Sequence, residues 1–222
     1  MGPEATAECF RSVVENTRAG SDQDHLPVIV ASHPGVPDRT EAILRGGEDP
    51  TPYLREMAVG LREAGADLLI VPCNTAHFFV EDVDPGIPFV NMLQAAVDAI
   101  PGGAKAGLLA TDGTIETGIY EEYALPRGIE LLLPAEAKQQ DVMDVIYGDR
   151  GIKAGFSGAR LKRQLLDVVD GLEERGAEYV IAGCTEIRVV LRPADLEGVS
   201  LIRPIDEAAR RAIELAGGET VD

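Results

Sequence analysis

The sequence predicts an α/β protein of two pseudo-symmetric lobes, each built on a parallel sheet. Three observations carry that prediction. Apolar, β-branched runs alternate with amphipathic helical patterns along the 222 residues, the signature of βαβ units. Two segments, EAGADLLIVPCNTA at 63–76 and ERGAEYVIAGCTEI at 174–187, align without a gap about a cysteine. The runs ahead of those cysteines are apolar at nearly every position, as in strands covered on both faces.

Taken in order, residues 4–17 read as a helix with Pro3 in its first turn, where the missing N–H costs nothing. LPVIVAS at 26–32 reads as a strand. Residues 50–65 form an amphipathic helix with Leu54, Met57, Ala58 and Leu61 on one face, ending at Gly65, a helix-stop signal. ADLLIVPC at 66–73 and IPFVNML at 87–93 are strands. In the second half KAGLLAT is a strand at 105–111, TIETGIYEEYAL a helix and IELLLP a strand. A long amphipathic helix, ARLKRQLLDVVDGLEERGAE, leads into YVIAGC and VSLIRPI, and DEAARRAIELAG is the last helix.

The repeat divides the chain into an N-terminal lobe at 1–102, a C-terminal lobe at 103–204 and a C-terminal helix and tail at 205–222. It also predicts an omission. The second half's first strand ends at Thr111, 73 residues before Cys184, and the same count back from Cys73 lands ahead of Met1. The first half therefore lacks its counterpart, a strand that is usually central in such sheets. Losing four or five buried aliphatic side chains would cost roughly 6–15 kcal/mol, comparable to the stability of a whole domain. The natural product is expected to begin upstream with an apolar strand running into Met-Gly-Pro.

Composition narrows the function. Thirty-eight acidic residues against 20 basic ones give a formal net charge of −18, which repels nucleic acid and anionic membranes. Four of the basic residues are lysines (Lys105, Lys138, Lys153, Lys162), a lysine-poor pattern that fits a salt-adapted source as well as an ordinary acidic enzyme. No apolar run reaches membrane-spanning length, and the N-terminus has no secretory pattern. Three scattered cysteines and three histidines argue against a disulfide framework and a metal site and favour a cytoplasmic thiol protein.

Ligands of open parallel sheets bind beyond the carboxyl ends of the strands, and Cys73 and Cys184 stand at two such ends, one per lobe. If the lobes face each other, two thiols flank one carbon, which is what stereoinversion requires: one removes a proton from one face while the other delivers a proton to the opposite face. Asn74, Thr75 and Thr185 supply hydrogen bonds for a thiolate.

The ordered motifs MGPEAT, PDRT, VPCNTAH, LLATDGT and IAGCTEI resemble those of the aspartate/glutamate racemase family, over essentially the whole chain and nearer its aspartate branch. Glutamate racemases typically open with Asp-Ser-Gly and carry His after the second Cys-Thr; MGP and Glu186 stand here instead. The resemblance implies two flavodoxin-like lobes with the active site in the cleft between them, a small amino-acid substrate, no pyridoxal phosphate or other cofactor, and a homodimer. It implies Cys73 and Cys184 as the acid/base pair. Asn74, Thr75, Thr111, Gly113, Thr114 and Thr185 would bind the α-carboxylate and amine, with Met1, Gly2 and Pro3 at the rim. Arg39 and Lys153 would grip the side-chain carboxylate and stabilise carbanion charge. Glu186 has three open roles: tuning Cys184, meeting the substrate amine, or starting the next turn.

Other residues take blander readings. Cys9 lies on the apolar face of the first helix, and His77 caps a strand-to-helix turn. The resulting expectation is a cofactor-independent aspartate racemase working by two-base transfer between Cys73 and Cys184. Glutamate or broader specificity is one alternative, and a related isomerase or decarboxylase is another. A thiol redox switch or a catalytically silent amino-acid-binding relative would be non-enzymatic.

Overall fold

The computed structural model describes residues 2–80 and 82–221. In chain order its helices are α1 (Pro3–Asn16), α2 (Arg39–Arg45), α3 (Thr51–Glu63), α4 (His77–Val80), α5 (Met92–Asp98), α6 (Asp112–Thr117), α7 (Glu121–Ala124), α8 (Glu136–Tyr147), α9 (Ala159–Glu173) and α10 (Pro204–Leu215). The strands are β1 (Leu69–Ile70), β2 (Phe89–Val90), β3 (Lys105–Ala110), β4 (Glu130–Leu132), β5 (Tyr179–Gly183) and β6 (Ser200–Ile202). Two compact units result, one of residues up to Ala95 together with Ile205 onward, the other Ala96–Pro204.

The second unit holds a four-stranded parallel sheet in the order β4-β3-β5-β6. Its central strands, β3 and β5, are buried at every position after the first, as in a parallel sheet covered on both faces. α9 presents Leu161, Leu165, Val168, Val169 and Leu172 to the core at helical spacing, and α8 adds Val142, Val145 and Ile146. Close packing explains two glycines. A Cβ on Gly107 would lie 2.7 Å from Leu172 Cδ1. On Gly183 it would lie 2.8 Å from Leu108 Cδ1, 3.0 Å from Ala110 Cβ and 3.1 Å from the Leu109 carbonyl oxygen. β5 thus approaches β3 closely immediately before Cys184.

The first unit holds a two-stranded parallel sheet, β1-β2. α3 packs Leu54 and Ala58 against Leu69 and Val71. α10 closes this unit from the far end of the chain. Ile205, Ala208 and Ala212 meet Val90 and Met92, while Ala209 and Ile213 meet Val13 of α1. A buried polar seam ties the two helices, Ser12 Oγ donating to Asp206 Oδ1 at 2.6 Å and Asn16 Nδ2 to the Ser12 carbonyl at 2.8 Å.

Several expected elements differ. LPVIVAS (26–32) forms no strand and pairs with none of the described strands. The strand expected at 66–73 contracts to β1, and that at 87–93 to β2, after which Met92 begins α5. The single helix expected over 114–125 is two, because Gly118 adopts φ 63°, a left-handed turn that ends α6. α2 and α8 were not anticipated by the sequence patterns.

Candidate active site

The predicted site residues fall into two groups, each at the carboxyl end of a sheet. In the first unit the chain leaves β1 through Val71 and Pro72 to Cys73, whose N–H donates to the Val71 carbonyl at 2.8 Å. Cys73 is half-buried and packs against the cluster containing Val36, Leu69 and Val71. Asn74 and Thr75 follow, both buried.

His77 pins this turn. Its Nδ1 lies 2.9 Å from the Cys73 carbonyl oxygen, and its Nε2 accepts the Met92 N–H at 3.2 Å. Accepting at Nε2 requires that the proton sit on Nδ1, where it is donated to Cys73. Burial lowers the His77 pKa, against smaller opposing effects of backbone hydrogen bonds, so the ring is neutral and its tautomer fixed. His77 therefore links the cysteine's backbone to the start of α5 and is a structural staple.

Arg39 starts α2 behind an Asp38 cap whose side chain accepts the Glu41 N–H. The arginine is 8% exposed, with Nη1 donating to the Pro37 carbonyl at 2.8 Å. Val36, one residue earlier, belongs to the cluster against which Cys73 packs, so the PDRT loop and the VPCNT turn share one hydrophobic footing. Gly2 caps α1, its carbonyl accepting from both N–H and Oγ1 of Thr6, and Pro3 opens the helix. Met1, assigned to the rim, lies outside the described residues.

In the second unit the pairing of Ala110 with Gly183 sets Thr111 and Cys184 at neighbouring strand ends. Thr111 Oγ1 caps α6, accepting the Thr114 N–H at 3.3 Å and lying 3.2 Å from Thr114 Oγ1. Both threonines and Gly113 are buried. Gln139 of α8 fixes the turn from beneath, its Nε2 donating to the Ala110 carbonyl and to Asp112 Oδ1.

Cys184 is 7% exposed. Its Sγ–H donates to Glu186 Oε2 at 3.0 Å, and Thr185 Oγ1 donates to the same oxygen at 3.1 Å. Among the three open roles of Glu186, contact with Cys184 is the one the geometry displays. The 3-10 turn Ile152–Ala154 carries Lys153, with Nζ 3.9 Å from the Tyr147 ring centroid. Burial works against the lysine's charge, but Tyr147, Glu186 and Cys184 more than offset it and hold its pKa above the ordinary value. Tyr120 is fully buried, and burial together with the Cys184 charge raises its pKa well above that of a free phenol.

A thiol, a carboxylate, an ammonium and two hydroxyls thus converge around Cys184. They can hold a proton on sulfur, pass it to a carboxylate and neutralise an anion beside it. Tyr120, Tyr147 and Gln139 were not singled out by the sequence; none belongs to a motif, and each reaches the site from a separate segment. Among the described residues, no three His, Cys, Asp or Glu side chains group as metal ligands, and no helix is long and apolar enough to cross a membrane.

Comparison with known proteins identifies the family. The Asp/Glu/Hydantoin racemase profile matches residues 1–212. The broad specificity amino-acid racemase RacX of Bacillus subtilis (strain 168) is 25% identical over 198 residues, 86% of this chain and 84% of that protein. Glutamate racemase of Corynebacterium diphtheriae is 27% identical over 182 residues, 74% of this chain and 64% of its own length. Among solved structures, Picrophilus torridus aspartate racemase superposes with a TM-score of 0.87 at 24% identity, covering 99% of this chain and 92% of that one. An aspartate racemase homologue from Pyrococcus horikoshii OT3 gives a TM-score of 0.75 at 23% identity, covering 97% and 95%. This chain belongs to the Asp/Glu/Hydantoin racemase family.

Proposed function

We propose that this protein racemises an acidic amino acid, aspartate first, without a cofactor, using Cys73 and Cys184 as the two bases. The observation that carries the reading is the matched placement of the cysteines. Each lies just beyond the carboxyl end of a parallel strand, Asn74 and Thr75 or Thr185 follow it with buried hydrogen-bonding side chains, and the two occupy equivalent positions of the internal repeat. The α-proton of an amino acid is a very weak acid, so removing it demands a base in contact and charge stabilisation where the carbanion develops.

One cysteine, as thiolate, takes the α-proton, and the electron pair stays on Cα, delocalised into the carboxylate. The other, as thiol, returns a proton to the opposite face. Cys184 begins protonated, its hydrogen held toward Glu186; delivering that proton leaves it as the thiolate while Cys73 holds the proton taken from the substrate, and the pair is then set for the reverse direction. Lys153 and the guanidinium of Arg39 are the cations assigned to the substrate carboxylates, where arginine offers two parallel hydrogen bonds. Thr111, Gly113, Thr114, Asn74, Thr75 and Thr185 are assigned to the α-carboxylate and amine, with Gly2 and Pro3 at the rim. The working form is proposed to be a cytoplasmic homodimer.

Chiral chromatography of L-aspartate incubated with the protein tests the proposal. D-aspartate must accumulate toward an equal mixture, and Cys73→Ala and Cys184→Ala must each abolish it. Similarity to a broad specificity racemase supports a second reading, in which other side chains are accepted. Equal turnover of neutral amino acids would favour it over the acidic preference.

A further inference from the structure

We infer that an exposed basic face, formed by Arg150, Arg160 and Arg163 around the turn that carries Lys153, draws small anionic substrates toward Cys184. The inference rests on the reading of Cys184 and Lys153 as one side of a site for an acidic amino acid. It adds how such a substrate approaches an acidic protein. The first observation is of charge. Residues 150–166 hold five basic side chains, Arg150, Lys153, Arg160, Lys162 and Arg163, and no acidic one. The other 15 basic residues stand against all 38 acidic ones. A dicarboxylic amino acid carries one net negative charge at neutral pH, and such a chain repels it. This segment is the exception.

The second observation is that the charge is not cancelled locally. Arg150, Arg160 and Arg163 are exposed, and none forms an ion pair among the described residues. Arg160 bonds to uncharged acceptors, Nη2 donating to the Arg150 carbonyl at 2.8 Å and Nη1 to Gln164 Oε1 at 3.4 Å. Two nearby acids are already engaged, Asp195 by Lys162 at 2.5 Å and Asp167, one turn beyond Arg163, by Lys138. Asp149 flanks Arg150 and leaves the face positive.

The third observation is of placement. The 15 residues of α9 run about 22 Å back along the sheet. Leu172, near the end of the helix, packs over Gly107, near the start of β3, and a short turn then leads into β5. The first turn of α9 therefore lies toward the carboxyl end of the sheet, where β5 delivers Cys184. Leu161, Ile152 and Cys184 accordingly share one hydrophobic cluster, and the Arg160 bond to Arg150 ties the start of α9 to the Lys153 turn. Positive charge thus runs from the outer side of α9 to Lys153, whose ammonium interacts with the charges of Cys184 and Glu186. A field of one sign beside a site raises the local concentration and encounter rate of an anion. Its reach is about 30 Å at 0.01 M salt and about 8 Å at 0.15 M.

Alkylation of Cys184 by iodoacetate, an anion, relative to neutral iodoacetamide reads this field without requiring turnover. Peptide mass spectrometry separates Cys184 from Cys9 and Cys73. At 0.01 M salt the iodoacetate-to-iodoacetamide ratio should fall about threefold in Arg160→Glu/Arg163→Glu. At 0.5 M salt the difference should shrink below about 1.5-fold. Lys105→Glu/Arg175→Glu makes the same charge change at the amino end of the sheet and should leave the ratio within about 1.5-fold of the parent chain. Glutamine versions, at half the charge change, replace any variant that does not fold. For aspartate, kcat/KM should follow the same pattern while kcat holds. An unchanged ratio in the Arg160/Arg163 variant, a fall that survives high salt, or an equal fall in the control pair would overturn the inference. A chain that never forms D-aspartate would fail the racemase reading instead, and the alkylation ratio would still decide this one.

Discussion

Gly183→Ala tests whether the close approach of β5 to β3 positions Cys184. The new methyl would stand 2.8 Å from Leu108 Cδ1, 3.0 Å from Ala110 Cβ and 3.1 Å from the Leu109 carbonyl oxygen, where carbon contacts ordinarily settle near 3.5–4.0 Å. Leu108 is a side chain that can turn, though it is fully buried; Ala110 Cβ and the carbonyl cannot. β5 must therefore move several tenths of an ångström away from β3 at the residue before the thiol. Over-packing of this kind costs about 1–3 kcal/mol, and alanine recovers about 0.4–1 kcal/mol by restricting the unfolded chain. A net loss of about 1–2 kcal/mol lowers Tm by about 2–8 °C in a chain of this size. Activity should suffer more than stability, because a misplacement approaching 1 Å costs up to about 100-fold. Gly107→Ala is the matched control: it crowds Leu172 Cδ1 at 2.7 Å, in the neighbouring strand β3 of the same sheet and away from the thiol. The assay is Tm by calorimetry beside racemisation rate at 25 °C. Gly183→Ala should lose rate while folded, and Gly107→Ala should lose Tm with little selective loss of rate. Full activity and unchanged Tm in Gly183→Ala would refute the reasoning.

Three further outcomes follow from the half-sites. Glu186→Gln removes the carboxylate that accepts the Cys184 S–H. Two unit charges 3 Å apart repel by about 1.4 kcal/mol even in bulk water. Alkylation of Cys184 at pH 7 should therefore rise at least about tenfold while Tm holds and racemisation falls; unchanged alkylation would refute the tuning role. His77 is neutral when folded and its pKa is lowered by burial, so below the unfolded value, near 6.5, the unfolded chain binds the extra proton and stability falls as pH falls. His77→Asn, which can still donate to Cys73, should flatten the decline of Tm between pH 6.5 and 5, and an unaltered slope would contradict the assignment. Lys153→Met should cut kcat/KM by about 10- to 150-fold if its ammonium meets a substrate charge, with Lys153→Arg restoring part; equal losses in both would point to packing against Tyr147.

How far the sequence could be read depended on whether a signal was local. α9 was legible because five core residues repeat at helical spacing, and β3 and β5 because both faces are buried. α8 escaped notice because its first turns are polar and its buried positions, Val142, Val145 and Ile146, cluster at one end. The strand expected at 26–32 has the right residues but no neighbour; its composition was readable, its pairing was not. Cys73 and Cys184 stood out through the repeat and their polar followers. The surroundings of Cys184 did not, because Tyr120, Lys153 and Tyr147 reach it from three segments and the family resemblance singled out Lys153 alone. Glu186 was visible as a residue but left with three roles, which a 3.0 Å contact to Sγ reduces to a direct one.

The most direct test of the central claim is α-proton exchange by NMR, with L- and D-aspartate each dissolved in D₂O with the protein or with Cys73→Ala or Cys184→Ala. The intact protein should invert each enantiomer and deliver deuterium into the product. Each variant should lose inversion yet still exchange the α-proton of one enantiomer, and the two variants should exchange opposite ones. Continued inversion in either variant, or exchange of the same enantiomer by both, would contradict a mechanism in which two cysteines work on opposite faces.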